Sequence, residues 1–263
     1  MSAWTDHVAK WKNCDLCPLH KQRNRICIAR GTVPCDVLFV GEAPGPSEDA
    51  IGQPFVGPAG KLLDQIIERA LPHQGHDVYT IEASDAYAAA SIQGCRRCHK
   101  SGPELVEKSC ISLVTYALTN LVCCFPAEAK AEGINEPHTS EIKACRPRLT
   151  EFINITEPKL IVCVGVLAAE YIDHRAGTQC LDVIHPAFIL RREMPLAQKQ
   201  MAAQRVVVQI RNAVERVIES SRPNFTKWGD PHASIPSSKE RPRYDYNDWA
   251  RSPINANNED IPF

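Results

Sequence analysis

Apolar residues fall in short continuous runs that alternate with stretches of helical spacing. Residues 35–41, Cys-Asp-Val-Leu-Phe-Val-Gly, form an apolar run ending in glycine, the pattern of a buried strand opening onto a loop. The Gly- and Pro-rich stretch 42–60 reads as that loop. Leu62, Leu63, Ile66, Ile67, Ala70 and Leu71 then follow a helical period. Further strands are predicted over 78–81, 114–122, 159–165 and 181–184. Further helices are predicted over 140–153 (Ser140 as candidate cap), 166–172 and 195–220. Strands alternating with helices predict an α/β fold, a three-layer sandwich with a central, mainly parallel sheet. Ligands of such sheets bind beyond the carboxyl ends of the strands. Glu42, Asn120 and His185 fall at three of those ends.

Two stretches break the alternation. Residues 82–113 separate two predicted strands and carry Cys95, Cys98, His99 and Cys110. Residues 221–263 hold six prolines and few large aliphatics, so they are expected to be largely disordered. The predicted organisation is therefore a domain over 1–220, with an insertion at about 82–113, and a tail over 221–263.

The 263 residues carry a net charge of −1, so any nucleic-acid site must be a local patch. The chain has no run of about 18 apolar residues, and no membrane span is expected. Residues 1–12 lack the apolar core of a signal peptide, which predicts a cytoplasmic protein. Disulfides are rare in that compartment, so the 12 cysteines raise the expectation of metal or cluster ligands.

One motif is long enough to suggest a family. Gly41-Glu-Ala-Pro-Gly-Pro-Ser-Glu-Asp-Ala-Ile-Gly-Gln-Pro-Phe-Val-Gly-Pro-Ala-Gly60, followed by Lys-Leu-Leu-Asp, resembles the first motif of the family 4 uracil-DNA glycosylases, with phage proteins as close variants. It lacks the Gly-Lys-Ser/Thr of a P-loop and the spacing of a dinucleotide fingerprint. Cys14-x-x-Cys17, the segment 119–126, Ala144-Cys-Arg-Pro147 and His185-Pro-Ala-Phe-Ile-Leu-Arg191 resemble further landmarks of that family in the same order. The resemblance implies a uracil-DNA glycosylase-like fold and hydrolysis of the N-glycosidic bond of flipped deoxyuridine, as in base excision repair. No lysine stands at the motifs for Schiff-base chemistry, so the expected product is an abasic site in an uncut strand.

The resemblance also implies roles for single residues. Phe55 would stack on the flipped uracil. Asn120 offers a donor to O4 and an acceptor to N3–H, which fits uracil and mismatches cytosine. His185 would donate to O2 as the base leaves with its charge. Glu42 would position the attacking water. The next residue is Ala43, where the housekeeping enzymes of the wider superfamily carry a water-activating aspartate. Glu48 would crowd uracil C5 and exclude thymine, with a solvated loop acid as the plainer alternative. Leu190 would wedge into the gap left by the flipped base, with Phe188 as a competitor. Arg191 and Arg192 would meet flanking phosphates, and Lys21, Arg23, Arg25 and Arg30 form a second basic run.

Four thiolates suit either zinc or an iron–sulfur cluster. The resemblance favours a [4Fe–4S] cluster on Cys14, Cys17, Cys124 and Cys145. Cys123 competes with Cys124. Strand alternation lets only one of the two reach the cluster, and counting from Asn120 favours Cys124. Cys95, Cys98 and Cys110 offer ligand types for a second metal, zinc, with a reduced loop as the alternative. Cys27, Cys35, Cys163 and Cys180 are expected in or near the core.

Uracil-containing DNA is the expected partner. A non-catalytic DNA-binding or replication accessory protein is the competing class. The last residues, Glu259-Asp-Ile-Pro-Phe263, resemble the acidic tip of bacterial single-stranded DNA-binding proteins. That likeness implies docking to replication or repair proteins that bind the tip.

Overall fold

The computed structural model describes residues 2–71, 114–127, 136–172, 178–191 and 193–220. The strand predicted over 78–81, the interior of the insertion and the tail lie outside them. So does the zinc expectation at Cys95, Cys98 and Cys110.

Five strands form one sheet in the order β1-β3-β2-β4-β5. They are β1 (Arg30–Gly31), β2 (Val37–Gly41), β3 (Tyr116–Asn120), β4 (Leu160–Val164) and β5 (Gln179–Val183). The last four run parallel, and only the edge pair β1 and β3 is antiparallel. Every residue of β2 and β4 is buried, as expected of strands covered on both faces. Alternation places Leu38, Val40, Ala117, Ile161 and Cys163 in one core with Val8, Trp11, Leu149, Phe152 and Ala168. Val37, Phe39, Leu118 and Val162 therefore face the opposite layer.

The helices are α1 (Ala3–Trp11), α2 (Pro46–Ile51), α3 (Pro58–Ala70), α4 (Thr139–Thr156), α5 (Val166–Tyr171), α6 (Pro186–Ile189) and α7 (Leu196–Ser220). Helix α1 packs on α4, and α3 packs on α7. The apolar stripe of α3, Leu62, Leu63, Ile66, Ile67 and Ala70, is buried as its spacing predicts. Among the described residues, no helix is long and apolar enough to cross a membrane.

The structure departs from the sequence reading at the short edge strand β1, which the pattern did not predict, and at four helices. Helix α1 escaped it because His7 counts as polar, yet His7 is buried with Val8 and Trp11 and completes the stripe. Helix α2 lies inside the predicted loop: Pro46 opens it and Gly52, at φ 86°, closes it after six residues, too few to show a period. Helix α6, at four residues, is shorter still. Helix α4 is capped at His138 rather than Ser140, and the Glu141 carboxylate accepts the His138 N–H at 2.7 Å.

The register brings the functional segments to one edge. Gly41 pairs with Asn120 and Val164 with Val183. Beyond those pairs, the Leu121 and Val122 N–H groups donate to the Gly41 and Glu42 carbonyls at 2.9 and 3.2 Å, so β2 and β3 stay joined as they leave the sheet.

Candidate active site

Gly41 marks the centre of the pocket. A methyl group there would collide with both Phe55 Cζ and Asn120 Oδ1, so the ring and the amide meet over the end of β2. One strand across, a methyl on Gly165 would stand 3.2 Å from His185 Cβ, which seats the histidine on the turn after β4. Three predicted site residues thus lie on neighbouring carboxyl ends. Asn120 is buried at 2% exposure. Glu42 is half-buried on the same edge.

His185 has a defined proton arrangement. Its Nδ1 accepts the Ala187 N–H at 3.1 Å, so the neutral ring carries its proton on Nε2. Loss of hydration in this crowded site lowers its pKa to about 4, against a smaller upward pull from Glu48, although part of the ring remains open to solvent. At neutral pH His185 is an uncharged donor.

Phe55 holds a backbone conformation that non-glycine residues rarely adopt, with φ 58°. Arg30 fixes it. Its Nε donates to the Pro54 carbonyl at 2.8 Å, and its Nη2 donates to the Phe55 carbonyl at 3.1 Å and to Asp64 Oδ1 at 2.6 Å. Gly60 leaves room for the Phe55 main chain, where a methyl group would collide with its carbonyl.

Glu48 is neither a solvated acid nor a free carboxylate. It is buried, and its oxygens accept N–H groups from Gly45, Val56 and Gly57 at 3.1, 2.9 and 2.7 Å. It ties the two ends of the Phe55 loop together. Glu48→Ala should lower stability by about 3 kcal/mol, because buried N–H groups lose their acceptor. A denaturant midpoint unchanged from wild type would contradict this.

A second site lies on the α1 and α4 side. Cys14, Cys17, Cys123, Cys124 and Cys145 line one small recess with Trp11, Leu19, Ile26 and Arg148. Both Cys123 and Cys124 reach it, because β3 ends at Asn120 and strand alternation no longer applies. The two differ in partners. Arg23 Nη1 donates to Cys124 Sγ at 3.1 Å, whereas Cys123 Sγ donates to the Ile28 carbonyl at 3.8 Å and also hydrogen-bonds with the Cys145 side chain. Burial pushes the Cys124 thiol up to about 11, with Arg23 opposing. Among the described residues, no group of three or more donors already stands in a metal-holding arrangement. The donor chemistry nevertheless fits a thiolate-bound anionic group: the recess has sulfur donors, apolar walls and two guanidinium groups hydrogen-bonded to sulfur.

The basic run of residues 21–30 does not form one phosphate patch. Arg23 serves Cys124 and Arg30 serves the Phe55 loop. Leu190 is open at 37% exposure, just after α6. The Arg191 guanidinium lies over the Phe188 ring, 4.6 Å from its centroid. This engages Phe188 and leaves Leu190 as the freer apolar tip.

Comparison with known proteins gives this edge a family. The sequence model described as Uracil DNA glycosylase superfamily matches residues 29–208, well over half of the chain. The chain belongs to that superfamily. Among its relatives is the Type-4 uracil-DNA glycosylase of Pyrobaculum aerophilum, 32% identical over 159 residues, or 60% of this chain and 59% of the relative. The enzyme of the same name from Sulfurisphaera tokodaii is 30% identical over 165 residues, 63% of this chain and 56% of the relative. That from Thermotoga maritima is 26% identical over 196 residues, 68% and 79% of the two chains. The match thus spans less than two thirds of the first two relatives. The superfamily match contains Glu42, Glu48, Phe55, Asn120, Cys124, Cys145, His185, Leu190 and Arg191, while Cys14 and Cys17 precede it.

The sequence reading of this superfamily member passed over two arginines. Arg30 sat in a charge run and gave no signal of its own. Arg148 did give one: it lies three residues after Cys145, a cation on the helix face that also carries Ile142 and Leu149.

Proposed function

We propose that this chain hydrolyses the N-glycosidic bond of deoxyuridine in DNA and leaves an abasic site. The observation that carries this reading is the meeting of Phe55 and Asn120 over Gly41, with the neutral His185 seated beside Gly165. A ring, an amide and an uncharged N–H donor are what a flipped uracil needs for stacking, edge reading and stabilisation of its departing O2. Phe55 stacks on the base, and the Asn120 amide pairs with O4 and N3–H. His185 Nε2–H donates to O2 as negative charge develops there. Glu42 orients water toward the sugar carbon, with Ala43 offering no second acid. Leu190 fills the gap in the duplex, and Arg191 meets a flanking phosphate. Glu48 shapes the pocket wall by holding the Phe55 loop.

Cys14, Cys17, Cys124 and Cys145 are the residues that would hold a [4Fe–4S] cluster. Such a cluster supplies a structural clamp between the amino-terminal segment and the core, away from the glycosidic bond. Docking through the Phe263 tip, read from residues outside the described set, adds a separate partner expectation. Its check is a pull-down of repair and replication proteins with intact and Phe263-deleted protein.

The direct test is a uracil-bearing oligonucleotide incubated with the protein and treated with alkali. Strand scission only after alkali, and only with uracil present, is the expected result. Absence of scission overturns the reading. Single-turnover excision should stay level from about pH 8 to about pH 5 and fall toward pH 4, because protonation of His185 removes the uncharged donor form. The sign for folding is the same. The unfolded histidine, near 6.5, takes up its proton before the folded one, so this contribution to stability is full above 6.5 and lost as pH falls toward 4. A rate inflection centred at 6.5 would contradict the desolvated His185.

A further inference from the structure

Arg148 is 1% exposed, and its guanidinium spans the space between the cysteine recess and the end of β3. Nη1 donates to Thr119 Oγ1 at 2.7 Å. Nη2 faces the Asn120 carbonyl at 2.5 Å, the Leu121 carbonyl at 3.0 Å and Cys145 Sγ at 3.7 Å. Thr119 Oγ1 in turn donates to the Ile28 carbonyl at 2.7 Å. One side chain therefore holds the main chain of the residue that carries the base-reading amide, together with both its neighbours.

A buried cation is costly to keep without negative charge beside it. The groups that face Arg148 on the recess side are the sulfurs of Cys123, Cys145 and Cys124, with Cys145 Sγ in reach of Nη2 at 3.7 Å. Glu151, about one helical turn further along, is engaged elsewhere: its carboxylate meets His7 Nδ1 at 2.8 Å and Trp11 Nε1 at 3.2 Å, and it also pairs with Lys10. The His7 ring is buried and its pKa is lowered, chiefly by desolvation, so it adds no strong second cation. Arg148 thus meets Cys145 sulfur on one side, while its donors serve the pocket strand on the other.

We propose that Arg148 is a positioning residue that couples the cysteine recess to the base pocket. The guanidinium touches Cys145 Sγ on the recess side and fixes the main chain at Asn120 and Leu121 on the other. The recess then does more than clamp the amino-terminal segment, because the side chain that contacts Cys145 Sγ also holds the main chain of the uracil reader. The coupling rests on the uracil-excision reading, and the test separates the two.

The probe is an oligonucleotide with 2′-fluoro-2′-deoxyuridine, which resists cleavage, compared with one carrying thymine at the same site. Wild-type protein should prefer the uracil probe. Arg148→Lys keeps the charge, but one ammonium cannot satisfy acceptors spread across the guanidinium fork. Its binding to the uracil probe should weaken about tenfold, with thymine-probe binding and iron content unchanged. Asn120→Ala combined with Arg148→Lys should bind no more weakly than Asn120→Ala alone, because Arg148 acts through Asn120. Arg148→Met, which removes the counter-charge, should also lower iron per chain. If that variant does not fold, Arg148→Lys and the double variant decide. Wild-type uracil preference in Arg148→Lys, or losses that add fully in the double variant, would overturn the coupling alone. A wild-type protein without uracil preference would overturn the excision reading and the coupling with it.

Discussion

His185→Ala is expected to slow single-turnover uracil excision by about 10²–10³-fold, the usual cost of removing one preorganised donor from a developing anion. The leaving base carries its charge on O2, and the ring is set to meet it. Nδ1 is occupied by the Ala187 N–H, which leaves the proton on Nε2, and Gly165 lets the ring sit close to the end of β4. Asn120→Ala should produce a loss of similar size, through recognition as well as rate, since the amide reads two edge groups of the base. The two variants differ in their binding signature. Asn120→Ala should weaken binding of a non-cleavable uracil probe, whereas His185→Ala should spare it, because the His185 interaction strengthens as the bond breaks. Near-wild-type excision by His185→Ala would remove the leaving-group role from that residue.

The four parallel strands and the site's position were legible because such strands leave apolar runs, plainest where both faces are covered, and their carboxyl ends are where ligands gather. Glu42, Asn120 and His185 fell there by pattern, and the motif resemblance added Phe55. What stayed hidden depended on three-dimensional partners. Glu48 and Asp49 are adjacent acids in a stretch that reads as a loop but forms α2, and no spacing reveals that both are buried as acceptors. Glu48 takes three backbone N–H groups of its own loop, while Asp49 takes the Asn24 and Arg25 N–H groups. Arg23 and Arg30 read as members of a basic run, yet both are spent internally, Arg23 on Cys124 and Arg30 on Pro54, Phe55 and Asp64. Alternation misled at Cys123 and Cys124 because it was carried past the end of β3.

The cysteine recess gives an all-or-none expectation. Anaerobically purified protein should carry about four irons and absorb broadly near ~400 nm, as thiolate-bound clusters of this type do. Cys17→Ala, Cys124→Ala and Cys145→Ala should each abolish the colour, because each removes one of the expected sulfur ligands. Cys123→Ala is the discriminating variant. Its sulfur also lines the recess, between the Cys145 side chain and the Ile28 carbonyl, while Cys124 Sγ receives the Arg23 guanidinium that would stabilise a ligating thiolate. Colour retained in Cys123→Ala and lost in Cys124→Ala assigns the ligand to Cys124, and the reverse assigns it to Cys123. A colourless wild-type protein with one zinc per chain would leave the four-sulfur site standing and overturn the cluster. The buried guanidinium of Arg148 would then still face thiolate charge, since zinc also binds deprotonated sulfur.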